Sequence, residues 1–126
     1  MDENEISSVV VDAAIEVHRE LGGPGLLESV YEEALAFELR DRGLEVSRHV
    51  SVPLAYKGRD LRSDLRLDLI VNQKVIVEVK ATSTHNPVYE AQTLTYLRLL
   101  DLRLGMVVNF GRPRVTDGIR RVVNGL

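Results

Sequence analysis

Asp68, Glu78 and Lys80 are the residues whose types and spacing could do chemistry. Two carboxylates can share a hard cation, and a neighbouring ammonium can polarise a water or offset negative charge developing on a phosphate. Whether they meet depends on the strands that carry them. Val75, Val77 and Val79 alternate with Ile76, Glu78 and Lys80, so Glu78 and Lys80 share a face. On the preceding strand Leu65, Leu67, Leu69 and Val71 alternate with Arg66, Asp68 and Ile70. A two-residue turn at Asn72-Gln73 would pair Asp68 with Val77 and send the carboxylates to different faces. A three-residue turn, Asn72-Gln73-Lys74, sets Asp68 opposite Glu78 and Arg66 opposite Lys80. That register opposes like charges on an apolar hairpin, which is destabilising unless something positive lies between them. A divalent ion, Mg²⁺ or Mn²⁺, is the obvious candidate. Read alone, Glu-x-Lys is a weak pattern and an ordinary ion pair on an exposed strand. An Asp ten residues ahead of it, on an apolar hairpin followed by a helix, is much sharper.

The elements that must position these residues follow from periodicity. Ile6, Val9, Val10, Ala13, Val17 and Leu21 predict a helix over 5–21, and Gly22-Gly23-Pro24-Gly25 breaks it. A second helix is expected over 26–42, stopped by Gly43. From Leu44 the period changes: Val46, His49, Val50 and Val52 lead to Pro53 as a strand ending near Tyr56-Lys57-Gly58, followed by strands over 61–71 and 75–81. Asn86 is a good N-cap, with Pro87 at the first helical position, so a third helix is expected to run to about Asp101. Leu104 to Phe110 reads as a strand buried on both faces, and the tail from Gly111 as an edge strand or a short helix. The order is ααβββαβ, an α/β domain over residues 1–126 whose central mixed sheet needs helices on its faces.

Two helical features converge on the hairpin. Gln92 and Tyr96, four apart, share a face with Val88 and Leu99, the stripe expected to pack on the sheet. An amide in a buried stripe needs a partner, either a sheet-edge backbone group or the carboxylate site. Glu28 stands in the first turn of the second helix, beside the arc of Tyr31, Leu35 and Leu39, where a carboxylate also favours the helix dipole. His18 is either a neighbour of Glu28 or a helix-surface histidine, and His49 and His85 are expected at the surface. Thr82-Ser83-Thr84 is a phosphate-binding or a capping loop.

Gly25-Leu26-Leu27-Glu28-Ser29-Val30-Tyr31 reads as a GxxExxY signature. With Asp68, Glu78-Val79-Lys80, Gln92 and Tyr96 downstream, the chain resembles the GxxExxY family of the PD-(D/E)XK nuclease-like superfamily, near its RecB-type QxxxY branch, over about residues 5–123. The resemblance implies a restriction-endonuclease-like core, Asp68 and Glu78 as metal ligands, Lys80 as the catalytic lysine, Glu28 as the superfamily's helical acid, serving the metal through a water or as an outer ligand, and Gln92 and Tyr96 as the QxxxY pair. Leu67 stands where the superfamily has its proline, a position that only shapes the strand. The implied activity is divalent-metal-dependent hydrolysis of nucleic-acid phosphodiesters, with DNA as the expected partner and a homodimer or partner protein left open. The rival is a non-catalytic nucleic-acid- or partner-binding module that keeps the fold. A dimerising structural domain would leave the polar cluster unexplained.

Composition bounds these readings. The 126 residues are 44% hydrophobic and only 5% aromatic, suited to one aliphatic core. No apolar run approaches a membrane span, MDENEISS lacks the features of a signal peptide, and the absence of cysteine excludes disulfides and thiolate sites. A cytoplasmic setting is expected. The net charge of −3 hides an asymmetry: residues 1–45 hold twelve acids and three bases, residues 46–126 thirteen bases and seven acids. Arg59, Arg62, Arg66, Arg98, Arg112, Arg114, Arg120 and Arg121 could track a polyanion. No aromatic ladder accompanies them, so base stacking is expected to be minor.

Overall fold

A computed structural model describes residues 1–62 and 65–126. Helix α1 (Glu3–Glu20) opens on a reciprocal cap: the Glu5 N–H donates to Asp2 Oδ1 and the Asp2 N–H to Glu5 Oε1. It buries Ile6, Val10, Ala13, Ala14 and Val17, and α2 (Glu28–Asp41) buries Tyr31, Leu35, Ala36 and Leu39. The two pack on each other. Between them Gly22, Gly23 and Gly25 take φ of 86°, 90° and 119°, a region that only glycine enters freely.

The five-stranded sheet has the order β1-β4-β5-β6-β7. It comprises β1 (Val46–Ser51), β4 (Arg66–Val71), β5 (Val75–Lys80), β6 (Leu104–Asn109) and β7 (Ile119–Val123). Neighbours are antiparallel except β5 and β6, whose parallel pairing is bridged by α3 (Val88–Leu100). Val71, Val75, Val77, Val79, Met106 and Val108 join the α1–α2 core. Ile70, Ile76 and Val122 pack with Leu97 of α3 in a second cluster. The result is three layers, helices on both faces of a mixed sheet, as expected.

Several local expectations change. The long strand predicted through Tyr56 breaks at Pro53, which cannot donate to a ladder. The next residues form a separate two-stranded sheet of β2 (Leu54–Tyr56) and β3 (Arg59–Leu61). Of the strand predicted over 61–71, β4 begins only at Arg66, and residues 63 and 64 lie outside the described residues. The tail holds both forms considered, a 3₁₀ turn (Val115–Gly118) and the edge strand β7.

The stripe on α3 also differs. Thr93 and Leu97 are fully buried, whereas Val88 and Leu99 are exposed, and Gln92 lies on the exposed side with them. Gly105 supplies the reason. A Cβ there would stand 2.5 Å from Thr93 Cγ2 and 3.4 Å from Leu97 Cδ1, so the bare backbone of β6 lets that flank of α3 settle on the sheet.

Candidate active site

The turn between β4 and β5 takes three residues, with Asn72 and Gln73 both left-handed (φ 51° and 56°) and the Lys74 N–H donating to the Val71 carbonyl. The ladder therefore pairs Val71 with Val75, Ile70 with Ile76 and Leu69 with Val77. One step further it stops. Asp68 Oδ2 accepts the Val79 N–H at 2.8 Å, a carboxylate standing where a backbone carbonyl would continue the ladder. The strands part at this point, and Arg66 pairs with Ser51 on β1 rather than with Lys80.

Glu78 is 6% exposed, and its Oε1 has no hydrogen-bond partner among the described residues. Burial, then the neighbouring Asp68 charge and a hydrogen bond with Asp68, push its carboxyl up to about 9, with Lys80 opposing. The same two acids, after burial, raise the Tyr96 phenol. The charges of the carboxylate pair are thus felt at Tyr96 on α3. Gln92, one turn earlier, is exposed, and the argument from a buried amide no longer applies to it.

Lys80 is half-buried, its Nζ 4.8 Å from the centre of the Tyr89 ring in the first turn of α3. Asn109, beside Lys80 in the parallel ladder and 2% exposed, fastens the chain just beyond the lysine. Its Oδ1 accepts from the Thr82 and Gly111 N–H groups and its Nδ2 donates to Thr82 Oγ1. The Thr82 hydroxyl also donates to the Thr84 carbonyl, so this loop spends its polar groups internally. The helix α3 begins one residue later than expected, with Pro87 at the cap position, and Asn86 Oδ1 accepts the Val88 N–H.

The acidic helix arrives through the glycine turn. Tyr31 is fully buried, stacks on Phe110 at 4.7 Å, donates its hydroxyl to the Gly23 carbonyl and accepts the Leu26 N–H. Tyr31 thus pins the glycine turn against Phe110, just beyond β6, with Glu28 between Gly25 and Tyr31 in the chain. Glu28 stays open to solvent, yet neighbouring atoms raise its carboxyl, helped by Asp68 and Glu32 and opposed by Lys80.

Glu32 was not foreseen. It lies one turn beyond Glu28, 5% exposed, and burial followed by the Asp68 charge raises its carboxyl. Its Oε1 lies 2.8 Å from His49 Nε2 and 3.6 Å from Arg48 Nε. The i, i+4 spacing from Glu28, next to the core residue Tyr31, was the available signal. His49 keeps an exposed side chain but is tied to this buried acid and sits at φ 52° across from Asp68. His18 is not a helix-surface histidine: it is 7% exposed, with its ring 6.1 Å from Phe110. His85 pairs with Glu90 at 2.5 Å.

Among the described residues no group of three or more His, Asp or Glu side chains is arranged to hold a metal ion by itself. Two adjoining carboxylates, one with an unpartnered buried oxygen, still suit a hard cation that takes one or two carboxylates and fills its remaining positions with water and phosphate oxygens.

A mixed five-stranded sheet between helical layers, with an Asp, a Glu and a Lys where its central antiparallel strands part, defines a restriction-endonuclease-like α/β domain. A family model of the PD-(D/E)XK nuclease superfamily matches residues 4–122, and the chain belongs to that superfamily. No curated protein and no solved structure matches the chain significantly. No helix among the described residues is long and apolar enough to cross a membrane.

Proposed function

We propose that this chain is a divalent-metal-dependent nuclease of the GxxExxY type, cleaving phosphodiester bonds of nucleic acid, with DNA as the substrate. The observation that supports this most is the buried Glu78 against the half-buried Asp68 beside Lys80, an arrangement that is unfavourable as a purely structural device. Asp68 and Glu78 are the residues to hold Mg²⁺ or Mn²⁺, which when bound supplies a Lewis acid and an acidified water. Lys80, braced by Asn109 through the loop and by the Tyr89 ring, holds an ammonium where charge builds on the phosphate. Glu28 acts from outside the ligand pair, through water. Tyr96 positions the carboxylates from α3, and Gln92 stands ready at the rim to meet substrate.

The test is a panel of labelled single- and double-stranded DNA and RNA incubated with Mg²⁺, Mn²⁺ or chelator. Cleavage should require the metal and should fall about 10²-fold or more in Lys80→Ala. Binding without cleavage in any metal would instead favour the binding-module reading. Equal cleavage by parent and Lys80→Ala would remove the site from the reaction.

A further inference from the structure

The hairpin β2–β3 forms a sheet of its own, apart from the five-stranded sheet. Every residue from Ala55 to Arg62 is exposed, including Tyr56 at 59% and Leu61 at 48%. A two-stranded ribbon with nothing packed on either face is marginal by itself. Among the described residues, this one is held at its turn and its base. Lys57 and Gly58 take φ of 50° and 77°, the left-handed pair of the tight turn that suits strand twist, and Lys57 Nζ lies 5.4 Å from the Tyr56 ring. At the base, Val52 is buried in the α3-side cluster and its N–H donates to the Leu65 carbonyl.

Its position is fixed by register. The hairpin leaves the sheet after Ser51, which pairs with Arg66, and Asp68 lies two residues along β4 from that pair. At about 3.3 Å per residue, the base of the ribbon is within about 10 Å of the carboxylate site along the strand. The arms, three residues each, extend about 10 Å further, with strands about 4.8 Å apart. Lys57, Arg59 and Arg62 outnumber Asp60 on it, and none of the three makes an ion pair with a described residue.

We infer that the β2–β3 hairpin is a substrate arm that enters the major groove of double-stranded DNA beside the site, with Lys57, Arg59 and Arg62 on the flanking phosphates. A B-form major groove, about 12 Å wide and 8.5 Å deep, admits a two-stranded ribbon of this size. The narrow major groove of an RNA duplex does not, and a single strand offers no groove. The inference deepens the nuclease reading by naming its substrate form. It rests on that reading only for the claim that the bound duplex is the one cleaved.

The experiment is fluorescence anisotropy of the full chain with a labelled DNA duplex, the corresponding single strand and an RNA duplex, in chelator across a salt series. The parent should prefer the DNA duplex by about tenfold or more. In Arg59→Ala/Arg62→Ala duplex affinity should fall, and the slope of log K against log salt should shrink by about one for each lost phosphate contact. Tyr56→Ala at the tip should weaken duplex binding and leave the salt slope alone. Unfolding midpoints of all three proteins should agree, since these residues are exposed. Equal duplex affinity in parent and double variant, or a loss shared equally by single strand and RNA duplex, would overturn the arm. Because binding is read without turnover, a chain that grips duplex through the hairpin yet cleaves nothing in metal would uphold the arm and sink the nuclease. Cleavage with hairpin-independent binding would do the reverse.

Discussion

Glu78 keeps its proton to about pH 9 in the folded chain, against an ordinary value of 4.5. Below the lower value both states are protonated. Between the two the unfolded chain gives up a proton that the folded chain retains, so stability should fall as pH rises through that window and level off above it. One such proton gives a slope of about 1.4 kcal/mol per pH unit at its steepest. Thermal unfolding from pH 5 to 9 should show this decline, and Glu78→Gln should retain a shallower slope from Glu28 and Glu32, whose carboxyls are raised in the same direction. A divalent ion selects the ionised pair and so should raise the midpoint of the parent. Asp68→Asn removes a ligand and the repulsion together, so it should match or exceed the metal-free parent while losing the metal response. Asp68→Ala also loses the acceptor for the Val79 N–H and should be about 1–3 kcal/mol less stable than the Asn variant. An equal metal response in parent and Asp68→Asn would place the ion elsewhere.

Among the elements, α3 depends on one missing side chain beneath it. Gly105→Ala would bring a methyl to 2.5 Å from Thr93 Cγ2, on a stiff, fully buried residue, and should destabilise by about 1–3 kcal/mol. Because α3 also carries Tyr89 and Tyr96, cleavage should suffer beyond the stability loss. Adding Thr93→Ser, which removes the opposing methyl, should restore much of both, as unfolding and cleavage assays would show. This contact also explains what the sequence could and could not reveal. The hairpin that opposes Asp68 to Glu78 was legible because only two turn lengths were available and each had a definite consequence for the carboxylates. The face of α3 was not, since Val88, Gln92 and Leu99 make as good a stripe as Thr93 and Leu97 until a glycine on another strand decides between them. Glu32 was missed for a related reason: a second acid one turn along an acidic helix reads as solvated surface, and only the fold shows it buried. Pro53 marked the break in the first strand, but a proline alone does not say that a separate ribbon follows.

On the scale of the molecule, the site draws its parts from segments of opposite charge. Residues 1–45, net −9, supply Glu28 and Glu32, and residues 46–126, net +6, supply the strands and α3. The two meet where Tyr31 lies flat on Phe110, rings 4° from parallel. That stack joins residues far apart in the chain, so forming it means closing a long loop against entropy. Opposite net charge draws such segments together over distances that short-range packing cannot reach, and salt screens that attraction once the Debye length shrinks to about 10 Å. The docking of the acidic helical pair onto the basic remainder should thus be electrostatically steered. Refolding should slow as ionic strength rises from about 0.01 to 0.15 M, with unfolding changing much less. Stopped-flow traces across that range would show it, and a salt-independent refolding rate would mean that the aromatic stack forms only after the segments have already collapsed together.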